Sequence, residues 1–200
     1  MRAMGRLGPQ EITLADIAAP RSSMLMNVLL VVAASLVTAA AAQLEIRLPF
    51  TPVPISGQTF AVLMSGIVLG ARRAFAAQML YLVEGAAGMP FFSGGAAGAL
   101  HLVGPTGGYL MAFPFAAALT GALAENAWDR KPVTMFLTML AGSTIIFVLG
   151  LAQLSRYLPA NQLLASGLLP FIPGDIIKSL LATAALPLAW RLVPRSGDAA

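Results

Sequence analysis

The 200-residue sequence has no cysteine and a single histidine, His101. The missing cysteine excludes disulfides, thiolate metal sites and thiol nucleophiles. The lone histidine excludes a bis-histidine haem and a histidine-rich metal site. Charge is scarce as well. Acidic and basic residues together make up 10% of the chain, where soluble globular domains carry about 25%. No Gly-Lys-Ser/Thr ending of a phosphate-binding loop occurs, so the chain does not hydrolyse ATP by itself. No metal cofactor or prosthetic group is expected. An enzyme would need a nucleophile–base pair or a metal cluster, and the residues for neither are at hand.

What is present is apolar. Hydrophobic residues are 58% of the chain, and the mean hydropathy is +0.82. A membrane span needs about 20 mostly apolar residues. Apolar runs lie at about 24–46, 58–70, 74–88, 106–127, 133–154 and 174–193. They predict an all-α integral membrane protein, a bundle of six transmembrane helices forming a single membrane domain over 1–200. The second and third runs are short and separated by Ala71-Arg72-Arg73, which predicts a tight helical hairpin. The first 23 residues hold Glu11, Asp16 and Pro20 without an apolar core, unlike a cleaved signal peptide.

The basic residues set the orientation. With six spans, Arg2, Arg6, Arg21, Arg72, Arg73, Arg130, Lys131, Arg191 and Arg195 share one side, and only Arg47 and Arg156 the other. Positive loops face the cytoplasm, so both termini are expected to be cytoplasmic. The net charge of +4 is then a membrane feature, and no nucleic-acid partner is implied. Ionisable residues cluster at the two faces, which argues against a self-sufficient channel or transporter with a polar file through the bilayer.

Lys178 breaks the pattern, because it lies at the outer end of the last run. It stands three residues after Asp175 in "FIPGDIIKSL" (171–180), on one face of a helix. Two roles fit this pair. Asp175 can complement the helix start while Lys178 snorkels outward. Alternatively, both face a pocket, where a carboxylate accepts from N–H donors and an ammonium attracts an anion. The segment "FFSGGAAGALHLVGPTGGYL" (91–110) supplies glycines beside Phe91, Phe92 and Tyr109, fit for an ordinary turn capped by Thr106 or for a pocket wall. Glu84 is either a pocket residue or an interfacial charge, with the second favoured, and His101 reads as a satisfied loop residue. Gln43 and Glu45 mark the outer end of the first helix; Glu125 and Asp129 belong to the cytoplasmic rim. Ala34, Thr38 and Ala42 form a small-residue stripe, suited either to packing inside the bundle or to docking another membrane subunit.

Four stretches in order, "PFTPVPISGQTFAVLMSGIVLG" (49–70), "YLVEGAAGMPFFSGG" (81–95), "GPTGGYL" (104–110) and "PGDIIKS" (173–179), resemble the BioY family. These are the biotin-specific S components of energy-coupling-factor transporters. The resemblance spans about Val28 to Trp190. It implies high-affinity capture of biotin from outside a bacterial or archaeal cytoplasmic membrane. It implies partnership with a transmembrane coupling subunit and two ATP-binding cassette ATPases, which hydrolyse the ATP. Asp175 and Lys178 would contact biotin. Val53 in the 51–55 segment, Phe92, Ser93 and Tyr109 would line or cover the pocket, with Glu84 as a further candidate. Ala34, Thr38 and Ala42 would form the docking face for the coupling subunit.

Overall fold

Most of the apolar runs fold into helices that end at glycine, proline or a polar cap. The computed structural model describes residues 13–18 and 23–192. Arg2, Arg6, Arg21 and Arg195, which contribute to the charge asymmetry, lie outside the described residues. A short helix α1 (Leu14–Ala18) precedes α2 (Met24–Ala42). Ser23 caps α2 by accepting from the Met26 amide at 3.3 Å. The helix stops at Ala42, four residues before the expected end, because Glu45–Ile46 (β1) pairs antiparallel with Ile55–Ser56 (β2). This two-stranded ribbon amends the all-α expectation. Between its strands stand Pro49, Pro52 and Pro54, which cannot extend a helix, so the backbone there finds partners in a hairpin.

Helices α3 (Gln58–Leu69) and α4 (Ala71–Ala86) meet at Gly70, whose φ of 83° permits the sharp reversal expected there. No side chain from α4 itself caps its start. Glu125 does so from across the bundle, accepting from the Ala71 amide at 2.8 Å. Then follow α5 (Leu100–Val103), α6 (Gly107–Glu125), α7 (Pro132–Leu154), α8 (Ala160–Gly167) and α9 (Ile172–Leu192). The stretch between α7 and α9 thus contains the short helix α8. The stretches 24–42, 107–125, 132–154 and the α8–α9 segment from 160 to 188 are long and apolar enough to cross a membrane. The protein is mostly helical, with four candidate spans; α3 is apolar but shorter, and α4 starts with Arg72 and Arg73.

Helix α6 packs against α3, α4 and α7. Glycine sets how closely they approach. A Cβ on Gly66 would come within 2.0 Å of Thr120 Oγ1 and 2.4 Å of the Ala117 carbonyl, and one on Gly121 within 2.4 Å of the Ala71 nitrogen. Backbone therefore lies against backbone at the α3–α6 and α4–α6 crossings.

The small stripe of α2 faces inward. Thr38 and Ala42 are fully buried and Ala34 packs on the core, while Ala33, Leu36, Val37 and Ala40 are exposed. Gln78 of α4, itself fully buried, donates from Nε2 to Thr38 Oγ1 at 3.1 Å and to Ser65 Oγ at 3.0 Å, joining α2, α3 and α4. This corrects the docking expectation for Thr38 and Ala42: their smallness serves close packing within the chain. Thr38→Trp should therefore abolish monodisperse protein on size-exclusion chromatography, and Ala40→Trp should leave it unchanged. Normal elution of Thr38→Trp would contradict this packing.

At the opposite end of α9 from Asp175, Asp129 in the turn between α6 and α7 is fully buried. Its Oδ2 accepts from Trp190 Nε1 at 2.5 Å, and the Arg130 guanidinium covers the Trp190 ring at 4.5 Å. Burial pushes the Asp129 carboxyl above its usual range, outweighing the indole hydrogen bond and the Arg130 charge.

Candidate functional site

A cavity of about 770 Å³ opens among the β-hairpin, the 92–106 segment and the ends of α6, α7 and α9. Sites for small organic molecules commonly measure about 300–1,000 Å³. Its apolar wall includes Val53, Leu110, Phe113, Ile146, Phe147 and Phe171. Polar groups enter at few places, and those places come from different elements.

Asp175 and Lys178 both line the cavity. Helix α9 starts at Ile172, so Asp175 sits within its first turn. Its Oδ1 accepts from Ser143 Oγ of α7 at 2.8 Å. Lys178 does not snorkel outward. Its Nζ donates to the Ser56 carbonyl at 2.7 Å and to Thr59 Oγ1 at 3.0 Å, at the junction of hairpin and α3. The two ion pairs among the described residues are Arg47–Glu45 and Arg73–Asp16, so Asp175 and Lys178 keep separate partners. An ammonium and a carboxylate one turn apart therefore each retain donor or acceptor capacity toward the cavity.

The aromatic wall is held from behind. Tyr109 donates its hydroxyl to the Gly167 carbonyl at 2.7 Å. Its ring lies so close to Gly150 that a Cβ there would come within 2.3 Å. Phe92, only 1% exposed, meets Tyr81 edge-on at 5.7 Å and stacks on His101 at 5.7 Å with an interplanar angle of 20°. Gly85 leaves room for the Phe92 ring, since a Cβ would approach it to 2.3 Å. Gln58 Nε2 donates to the Tyr81 hydroxyl at 2.5 Å, which donates to the Phe91 carbonyl at 3.1 Å. The wall is thus fixed before any ligand arrives.

The mouth carries charge. Glu45 accepts from Ser93 Oγ and, at 2.6 Å, from Arg47 Nε. Slight burial raises the Glu45 pKa, but the Ser93 and Arg47 hydrogen bonds outweigh it and hold the carboxyl below its usual range. The hairpin is tied to α8 where Thr51 Oγ1 donates to the Ser166 carbonyl at 2.7 Å and Ser166 Oγ to the Phe50 carbonyl at 3.4 Å.

Of the residues singled out in the sequence, Asp175, Lys178, Tyr109, Phe92, Ser93 and Val53 come together on this one cavity. Glu84 does not line it. Gly85 is the α4 residue turned toward Phe92, and its neighbour in a helix points about 100° away. His101, read as an uninvolved loop residue, lies on the wall, as do Arg47, Gln58 and Thr59. Ser143 stands behind Asp175. A hydroxyl within an apolar run was its only signal, and such a group gives no direction.

The profile of the BioY family matches residues 13–195. A probable biotin transporter BioY of Pyrococcus horikoshii is 36% identical over 138 residues, covering 69% of this chain and 81% of that protein. The biotin transporter BioY of Rhizobium etli is 37% identical, covering 68% and 78%. The crystal structure of the S component for biotin from an ECF-type ABC transporter superposes with a TM-score of 0.72 at 26% identity, covering 84% of this chain and 92% of that one. These relatives are transporters and not enzymes. A profile match over nearly the whole chain, relatives above 30% identity and a shared bundle agree: the chain belongs to the BioY family.

Proposed function

We propose that this chain captures biotin from the outer side of a bacterial or archaeal cytoplasmic membrane as the S component of an energy-coupling-factor transporter. A transmembrane coupling subunit and ATP-binding cassette ATPases energise uptake. The observation that carries the reading is the cavity itself: one apolar volume of about 770 Å³ with Asp175 and Lys178 on its wall. Biotin combines two ureido N–H donors, an apolar ring and chain, and a carboxylate. A carboxylate side chain suits the donors, an ammonium suits the anion, and the aromatic wall suits the rest.

The ligand-binding set is Asp175, Lys178, Tyr109, Phe92, Ser93 and Val53. The chain needs no cofactor of its own. The six longer helices α2, α3, α4, α6, α7 and α9 cross the membrane, the termini face the cytoplasm and the cavity opens outward. The excess of basic residues on one side supports this orientation. Arg72→Cys should react with a membrane-impermeant thiol reagent only after lysis, and Ala97→Cys in intact cells. Labelling of position 72 from outside would reverse the topology.

Mass spectrometry of small molecules released from the purified protein tests the function. Biotin, chemically unchanged, is the expected species. Recovery of a different vitamin would assign the chain to another substrate, and recovery of a transformed product would make it an enzyme.

A further inference from the structure

Hydroxyls within these helices mostly return to their own helix. Ser65 donates to the Val62 carbonyl at 2.7 Å, Thr138 to the Thr134 carbonyl at 2.9 Å and Thr144 to the Leu140 carbonyl at 2.8 Å. This is the usual local bond of a serine or threonine inside a helix. Ser143 departs from it. Its Oγ crosses from α7 to α9 and donates to Asp175 Oδ1 at 2.8 Å. Ser143 is 3% exposed and does not line the cavity, although Ile146 and Phe147 of the same helix do. It therefore acts on a wall residue from outside the ligand space. Its own place is fixed from behind. A Cβ on the adjacent Gly142 would come within 2.4 Å of Leu63 and 2.7 Å of Thr120, so α7 lies tight against α3 and α6 at this turn.

The bond matters because of what stands one turn away. Asp175 and Lys178 occupy positions i and i+3 of α9, a spacing at which opposite charges on a helix attract. They are not among the ion pairs of the described residues. Lys178 gives its ammonium to the Ser56 carbonyl and Thr59 Oγ1 instead. Neutral partners on α7 and at the junction of hairpin and α3 thus compete with the direct ion pair. Two charges that neutralise each other have little attraction left for a third group. Charges held by neutral dipoles keep it.

We propose that Ser143 is a positioning residue of the site: its hydroxyl holds the Asp175 carboxylate apart from Lys178, so that both charges stay open to a ligand. The inference rests on the biotin-capture reading. It adds to that reading a group outside the cavity that sets the orientation of a group inside it. Without the hydroxyl, Asp175 Oδ1 loses its donor and the carboxylate turns to Lys178. The site then loses affinity while the bundle keeps its packing.

The test is calorimetric titration of the purified full chain with biotin, in a double-mutant cycle of Ser143→Ala and Asp175→Ala. Ser143→Ala alone should weaken binding about three- to tenfold, the worth of one hydrogen bond. In the Asp175→Ala background it should add less than about twofold, because the group it positions is gone. A second cycle on Lys178→Met reads the same coupling if Asp175→Ala binds too weakly to titrate. There too the added loss should stay under about twofold, since the carboxylate has no ammonium to turn to. Thr144→Ala, which removes a hydroxyl bonded within α7, should bind as the wild type does. Equal losses from Ser143→Ala with and without its partner would make the serine merely structural and overturn the proposal, leaving biotin capture standing. So would wild-type affinity in Ser143→Ala, or failure of that variant to elute as folded protein. Absence of biotin binding by the wild type overturns the capture reading itself, and this inference with it.

Discussion

Lys178→Met is expected to weaken biotin binding by about 10- to 100-fold while the protein still elutes as a single folded species. Methionine preserves most of the apolar stem that crosses the wall and removes only the ammonium. In the ligand-free protein that ammonium donates to the Ser56 carbonyl and to Thr59 Oγ1, at 2.7 and 3.0 Å. In the proposed biotin complex it is a cation of the cavity wall available to an anionic or carbonyl oxygen. Hydrogen bonds to charged groups contribute about 1.5–3 kcal/mol, which sets the range. Asp175→Asn should lose less, because the amide oxygen still accepts from Ser143, whose hydroxyl lies 2.8 Å from Oδ1. Calorimetric titration of the two variants checks the order. Wild-type affinity in Lys178→Met would show that the lysine only ties α9 to the hairpin.

Gly66→Leu is expected to eliminate folded protein. The nearest atoms to its Cβ would be Thr120 Oγ1 at 2.0 Å and the Ala117 carbonyl oxygen at 2.4 Å. One is the short side chain of a fully buried residue and the other is backbone, so neither can swing aside as the end of a long side chain would. Thr120 Oγ1 also donates across this contact to the Leu63 carbonyl at 3.2 Å. Ordinary overpacking costs about 1–3 kcal/mol. Here α3 and α6 must separate along their length, which also breaks the Thr120 bond. Ala76→Leu, on an exposed position of α4, is the matched control and should be neutral. Fluorescence-detected size exclusion of the two variants reads the result. A monodisperse Gly66→Leu peak with wild-type thermal stability would refute the close α3–α6 approach.

The sequence made some features plain and hid others, for physical reasons. Hydropathy located the long helices to within a few residues, because length and apolarity are summed over many positions. It overran the end of α2, since Leu44 and Ile46 are as apolar in a ribbon as in a span. Asp175 and Lys178 were legible as a pair because two charges at the end of an apolar helix need a reason. The facing of α2 was not legible. Along "AASLVTAAAA" many registers give a stripe of small residues, and only the partner decides which is used. That partner is Gln78, 40 residues further along the chain. Whether Glu84 and His101 reach the cavity was not legible, for the same kind of reason. A single residue's direction depends on a neighbour, here Gly85 for the first and Phe92 for the second.

The central claim is capture of biotin by this chain itself, without help from other subunits. Equilibrium binding of radiolabelled biotin to the purified full chain tests it most directly. Saturation near one biotin per chain is predicted, with displacement by excess unlabelled biotin and none by thiamine, a cationic vitamin that lacks both ureido and carboxylate. Absence of saturable binding, or equal displacement by thiamine, would contradict the account.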